Sequence, residues 1–256
     1  MSDWTTFLSA MTLAVVRLSG VVAFAPFFSS NVLPARVKAG FVLAVSLLLA
    51  PLVAALPGSA AALNAGSVTG ELGVGLVYGM SLALVNEMLL YAGQIAGVQF
   101  SFSLVNLLDP GSSVETPLLG TLFSLLGTLV LIAAGLDRIL LASVVQSFHA
   151  VPLGSFVLAR EDGAALVAAA GGIFLAALEL AAPVLAATLL VEVSIGLMGK
   201  ISPQLPVMSL TVPLKTLTGY AVLIGSLAVW PRFIEARFGA LLGLAERMLR
   251  HAAAGG

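Results

Sequence analysis

A chain of 256 residues that is 60% hydrophobic and only 9% charged, with a mean hydropathy of +1.12, lies far from soluble domains, in which about a quarter of residues carry charge. The net charge of -1 argues against nucleic acid as a partner, because neutralising phosphates needs a basic surface. Zero cysteines exclude disulfides, thiolate metal sites and thiol nucleophiles. An all-α protein of the membrane, or a subunit buried in a lipid-facing assembly, satisfies these bounds.

In chain order, the first apolar run is Thr5–Phe28, which lacks a basic leading region and carries Arg17 in its middle. It reads as a retained helix rather than a cleaved signal. Pro34 and the basic pair Arg36 and Lys38 precede a second helix closed near Ala55 by Pro51, Pro57 and Gly58. Residues Pro57–Gly70 read as a loop, and a long helical pattern then runs from Thr69 to about Leu107. Asp109-Pro110-Gly111 suits a type II turn, Ser112 with Glu115 a capping box, and Thr116-Pro117 a further helix start. The next helix spans Pro117–Leu136, followed by a short apolar piece, Ile139–Val151, that ends at Pro152-Leu153-Gly154. Glu161-Asp162-Gly163 opens a second long pattern reaching Gly199, which Pro183 is expected to kink. Pro203, Pro206 and Pro213 each remove a backbone donor, so Ser202–Pro213 is read as a broken segment before a helix over Leu214–Trp230. Pro231 stops that helix, and a basic amphipathic tail with Arg232, Arg237, Arg247 and Arg250 follows. Nothing marks a domain boundary, so residues 1–256 are read as one domain.

Two of these patterns have the wrong length for a bilayer. At 1.5 Å per residue, Thr69–Leu107 would be roughly 58 Å long and Gly163–Leu197 roughly 52 Å, against a hydrocarbon core of about 30 Å. Basic residues also flank both ends of the helix that closes at Trp230, with Lys200 and Lys215 before it and the arginines after it. A simple positive-inside topology does not accommodate that.

On the first long helix Glu71, Gly75, Gly79, Asn86, Gly93 and Gly97 fall within about 80° of arc. Gly75/Gly79 and Gly93/Gly97 are small-xxx-small pairs, which bring helix backbones close together. The contact lies either inside the subunit or against a neighbour. Arg17, Glu87, Glu179 and Glu192 are candidate buried charges, for which ion pairing or pore lining outranks a proton relay. His149 and His251 have no metal-ligand spacing around them, and no serine sits in a nucleophile elbow. The residues supply no catalytic constellation, no metal site and no cofactor.

The stretch Gly93–Pro117 alternates small, polar and aromatic residues between an apolar helix upstream and an uncharged one, Pro117–Leu136, downstream. Lipid cannot satisfy such a loop, and we read it as lying in a channel. Taken together with Ala25-Pro26-Phe27, Pro34, Glu71-x3-Gly75-x3-Gly79, Asp109-Pro110, Ser147 leading to Pro152, Glu192-x3-Gly196-x3-Lys200-x2-Pro203-Gln204, Pro213-Leu214-Lys215 and Gly219, it resembles the FliR/SctT family of type III secretion export-gate subunits. The order and spacing hold over nearly the whole chain. Lys200 stands where the family has arginine, and Pro206 where it has asparagine.

The resemblance implies long broken helices forming helical hairpins, built with FliP-like and FliQ-like subunits, and an FlhB-like switch subunit, into a hetero-oligomeric gate in the bacterial inner membrane. The gate passes unfolded substrates, and the implied setting is the flagellar basal body, with a virulence injectisome as the alternative. Phe100, Phe102, Leu104, Asn106, Leu107, Leu108, Asp109 and Pro110 would form a plug. Glu71, Gly75, Gly79, Gly93 and Gly97 would pack subunits, and Glu192, Lys200, Pro203, Gln204, Pro213 and Lys215 would form a conformational loop. A secondary transporter would need internal repeats, and none is visible. A membrane enzyme would need converging catalytic groups.

Overall fold

The computed structural model describes residues 2–29, 34–56, 63–100, 118–156, 160–202, 204 and 207–254. They form α1 (Ser2–Phe24), α2 (Pro26–Ser29), α3 (Ala35–Ala54), α4 (Ala65–Gln99), α5 (Leu118–Ala133), α6 (Leu136–Ala150), α7 (Arg160–Ile201), α8 (Val207–Ser226) and α9 (Trp230–Ala254). The all-α membrane architecture expected from composition is what these residues adopt. Among them, Trp4–Phe24, Ala35–Ala54, Ala65–Gln99 and Gly163–Ile201 are long and apolar enough to cross a membrane, and α5–α6 and α8–α9 are pairs bent at short breaks. The 35 residues of α4 and 42 of α7 make rods of about 52 and 63 Å, well beyond one hydrocarbon thickness.

Several boundaries differ from the sequence reading, each for a local reason. Helix α4 starts at Ala65 rather than Thr69 because Asn64 caps it. The Ser67 amide donates to Asn64 Oδ1 at 2.7 Å and the Asn64 amide to Ser67 Oγ at 3.1 Å, the reciprocal pattern of a capping box with Ser in place of Glu. The helix expected over Pro117–Leu136 breaks at Gly135, whose φ of 71° is left-handed, a conformation costly for residues with a side chain. Asp137 and Arg138 therefore belong to the first turn of α6. Helix α8 runs through Pro213 instead of starting after it. Pro51 and Pro183 also lie inside helices, so a missing N–H is tolerated here as it is in membrane helices. Pro231 does not stop a helix: α8 has already ended at Ser226, and Pro231 lies in the first turn of α9, where its missing donor has no partner to lose. Pro203 and Pro206 are outside the described residues, as are Phe102–Pro117.

The structure divides into two compact units. One comprises Met1–Val85, Ile132–Gly171 and Ala236–Gly256, the other Asn86–Leu131 and Gly172–Glu235. In the first unit, Ala10, Leu13 and Ala14 of α1 meet Val53, Phe148 and Leu153 in a shared core, with Leu49, Leu56 and Val68 packed on its edge. Helix α3 buries only Val42, Ser46, Ala50 and Val53, along one stripe. Its outward face is apolar too, with Leu43, Leu47, Leu48 and Leu52 exposed. A helix greasy all round suits lipid or a larger assembly. In the second unit, Phe123 of α5 packs edge-on against Trp230 at 4.7 Å, and both are buried.

The glycine stripe of α4 is consumed inside the chain, and its two ends do different work. A Cβ on Gly79 would fall 2.7 Å from the Gly20 carbonyl oxygen, and one on Gly75 would collide with the carbonyl of Arg17. Gly20 answers from α1, its own Cβ position 2.9 Å from Gly75 Cα. In the second unit, a Cβ on Gly93 would reach Gly120 Cα of α5 at 2.6 Å. Gly97 is different, since its nearest neighbour, Leu119, would be at an ordinary 3.8 Å. Backbone against backbone leaves no side chain free to yield. We expect Gly79→Leu and Gly93→Leu to lose about 1–3 kcal/mol or more through overpacking, and Gly97→Ala to be tolerated. Melting temperatures of the three detergent-solubilised variants test this, and a Gly93→Leu variant as stable as the parent would remove the close α4–α5 contact.

Candidate functional site

Two groups of polar side chains stand out, one in each unit. In the first, Arg17 near the middle of α1 and Glu71 in the second turn of α4 have no exposed surface at all. Arg17 Nε donates to Glu71 Oε2 at 2.6 Å and Nη2 to Oε1 at 3.1 Å, the two-pronged geometry for which guanidinium is shaped. Two further N–H groups go to Ser147 Oγ at 3.0 Å and the Val151 carbonyl at 3.0 Å. Phe148 offers its ring face to the guanidinium at 4.1 Å, a cation–π contact strengthened by desolvation. Glu71 Oε1 also accepts from the amide of Gly154 at 2.8 Å, where the chain turns with φ 76°.

Beside this hub, Tyr78 lies 3.0 Å from Ser143 Oγ, which donates to Glu246 Oε1 at 2.7 Å. These residues and Ser147 share the lining of a cavity of about 340 Å³ with Gln146, His149 and Arg250. Glu246 also accepts from Arg250, so the cleft's charges are already matched.

In the second unit the groups surround the end of α4. Phe100 is buried and stacks on Tyr220 of α8, centroids 4.7 Å apart and planes 9° from parallel. Gly219 makes the seat: any Cβ there would run into the Phe100 ring. Gln99 accepts a long hydrogen bond from Thr188 of α7. Lys215 of α8, nearly buried, pairs with Glu192 of α7, whose side chain is 44% exposed.

The residues singled out from sequence are thus placed unevenly. Glu71 is in the hub rather than at an open surface, and Arg17, expected buried, is its partner. Glu192 and Lys215 come together. Lys200, Gln204 and Pro213 are exposed, and none of them joins that pair. Glu87, Glu179 and Glu192, expected buried, are exposed, because each lies on the outer side of its helix. Phe100 is placed, while Phe102, Leu104, Asn106, Leu107, Leu108, Asp109, Pro110 and Pro203 lie outside the described residues. Ser147, Phe148, Tyr78, Ser143 and Tyr220 were not singled out for these contacts. Their partners are distant in sequence, and only a heptad-like spacing of Ser143 and Ser147 with buried neighbours hints at their inward side.

Removing one member of a buried ion pair strands the other's charge, at a cost of about 3–5 kcal/mol. Arg17→Met or Glu71→Leu alone should therefore lower the melting temperature and membrane level of the protein sharply. The double variant should recover part of that loss but not all, because Ser147, Val151 and Gly154 lose their partners in both. A double variant whose loss equals the sum of the two single losses would show that the two side chains act independently. At the second group, Gly219→Val should cost about 1–3 kcal/mol by overpacking. Gly225→Ala in the same helix, with nothing within 4 Å of the added carbon, should be neutral or slightly stabilising. Thermal unfolding of the two variants compares them directly.

Residues 8–241 match the model of a family described as bacterial export proteins, family 1. The flagellar biosynthetic protein FliR of Caulobacter vibrioides is 29% identical over 220 residues, covering 84% of this chain and 87% of that protein. FliR of Escherichia coli K12 is 25% identical over 243 residues, 94% of this chain and 93% of that one. FliR of Bacillus subtilis is 28% identical over 158 residues, 59% of this chain and 61% of that one. The family match takes in Arg17, Glu71, Phe100, Glu192 and Lys215, so it spans both polar groups as well as most of the helices. The chain belongs to the bacterial export proteins, family 1, the FliR family.

Proposed function

We propose that this chain is a non-enzymatic subunit of the flagellar type III protein export gate, working as one domain over residues 1–256 in the bacterial inner membrane. With FliP-like and FliQ-like subunits, and an FlhB-like switch subunit beside them, it forms the channel for unfolded flagellar substrates. The family match over residues 8–241 carries this reading, and relatives that bear the name flagellar biosynthetic protein favour the flagellar over the virulence arm. The helices support it in kind. Two are far longer than a bilayer is thick, and many of the apolar side chains along them face outward. Such a subunit is built to be covered.

The segment Phe100–Glu115 acts as the plug in this proposal. Its leucines and phenylalanines seal by packing, each worth about 1.5–3 kcal/mol when buried, while its serines and asparagine tolerate a wet lumen. Substrate entering the gate then displaces it without unfolding the helices. Deleting Ser103–Ser112 should leave a gate that still co-purifies with FliP-like and FliQ-like subunits but admits ions and small dyes. Conductance and dye entry in cells carrying the complete gate measure the leak. An assembled deletion gate as tight as the parent overturns the plug, and a parent chain that never co-purifies with either subunit overturns the gate assignment.

A further inference from the structure

Within the second unit, α4 and α5 present outward faces of different character. On α5 the exposed residues are Leu118, Thr121, Leu122, Leu125 and Leu129, apolar but for one threonine. On α4 they are Glu87, Tyr91, Gln94 and Val98, which fall within about 60° of arc at 100° per residue. Three successive outward turns of α4 thus carry groups that hydrogen bond, in a helix otherwise apolar enough to span a membrane. The inward side of the same turns is taken up by α5, with Asn86 accepting from Ser124 and Gly93 against Gly120. Among the described residues Glu87 makes neither an ion pair nor a side-chain hydrogen bond.

A carboxylate on a lipid-facing turn is costly, and membrane proteins meet that cost by pairing it with a cation or placing it in water. None of the described residues supplies a cation to Glu87. The α5 stripe fits hydrocarbon; the α4 face does not. We propose that the Glu87–Tyr91–Gln94 face of α4 docks a helix of another subunit that presents a lysine or arginine opposite Glu87, with Tyr91 and Gln94 hydrogen bonding on the turns beyond it. A helix partner fits better than open water because the Tyr91 ring and Val98, both exposed, give the same face apolar area beside its polar groups. Apolar contact around one charge makes a helix–helix seam in which a single charge pair sets register. The inference rests on the proposal that the chain assembles with other gate subunits.

The test uses the full chain co-expressed with its gate partners. Tyr91→p-benzoylphenylalanine should photocrosslink to another subunit, at a peptide with Lys or Arg within one helical turn of the linked residue. Glu87→Lys should reduce recovery of the co-purified complex at least tenfold, and exchanging that basic residue for Glu should restore it. The absence of native cysteine makes a single probe unambiguous: Gln94→Cys should be protected from a water-soluble maleimide in the complex and labelled once it is denatured. Crosslinks to lipid alone, full labelling of Gln94→Cys in the intact complex, or a Glu87→Lys complex recovered at the parental level would each overturn the docking face while leaving the gate assignment standing. A parental chain that captures no partner would overturn both.

Discussion

A guanidinium and a carboxylate with no access to solvent hold the first unit together. Arg17 and Glu71 lie 54 residues apart on two helices, and between them they also bind Ser147, the Val151 carbonyl and the Gly154 amide. Two long helices, the end of a third and the turn after it therefore meet at one point. Neither ion could be buried alone, and the multiple hydrogen bonds are what make the pair acceptable where water is absent. The glycines follow from the same constraint. For Arg17 to reach Glu71, α1 and α4 must approach closely, and Gly20, Gly75 and Gly79 remove the side chains that would hold them apart.

The same helix makes its second contact by the same means but to a different end. Gly93 brings α4 against Gly120 of α5 with no ion pair behind it; Asn86 and Ser124 supply a neutral hydrogen bond instead. At its last turn α4 gives way to Phe100, whose ring is fixed by Tyr220 and the gap at Gly219. One helix thus changes from charged to neutral to aromatic fastening along its length.

Much of this was legible in the residues. Composition and helical period were enough for an all-α membrane protein with two overlong helices, and the spacing of Glu71, Gly75, Gly79 and Gly93 marked a face of close approach. The partners of that face were not legible. Periodicity says which side chains of α4 share a side, and says nothing of Gly20 or Gly120. Arg17 and Glu71 were both conspicuous, but nothing local joins residues so far apart. Helix ends failed where a short-range signal was subtle: Ser67 in the place of glutamate hid the Asn64 cap, and Gly135 hid inside an apolar run. Pro213 misled for the opposite reason, because a proline that would break a helix in water is carried by one with apolar surroundings. Exposure of Glu87, Glu179 and Glu192 was misjudged because an uncharged neighbourhood in sequence is not the same as a buried position in space.

The seat of Phe100 has a mechanical consequence. Phe100 is wedged between the Tyr220 ring and the notch left by Gly219, one turn from Lys215 on α8. A pull on the end of α4 would therefore meet an aromatic stack first and pass to the helix whose Lys215 pairs with Glu192.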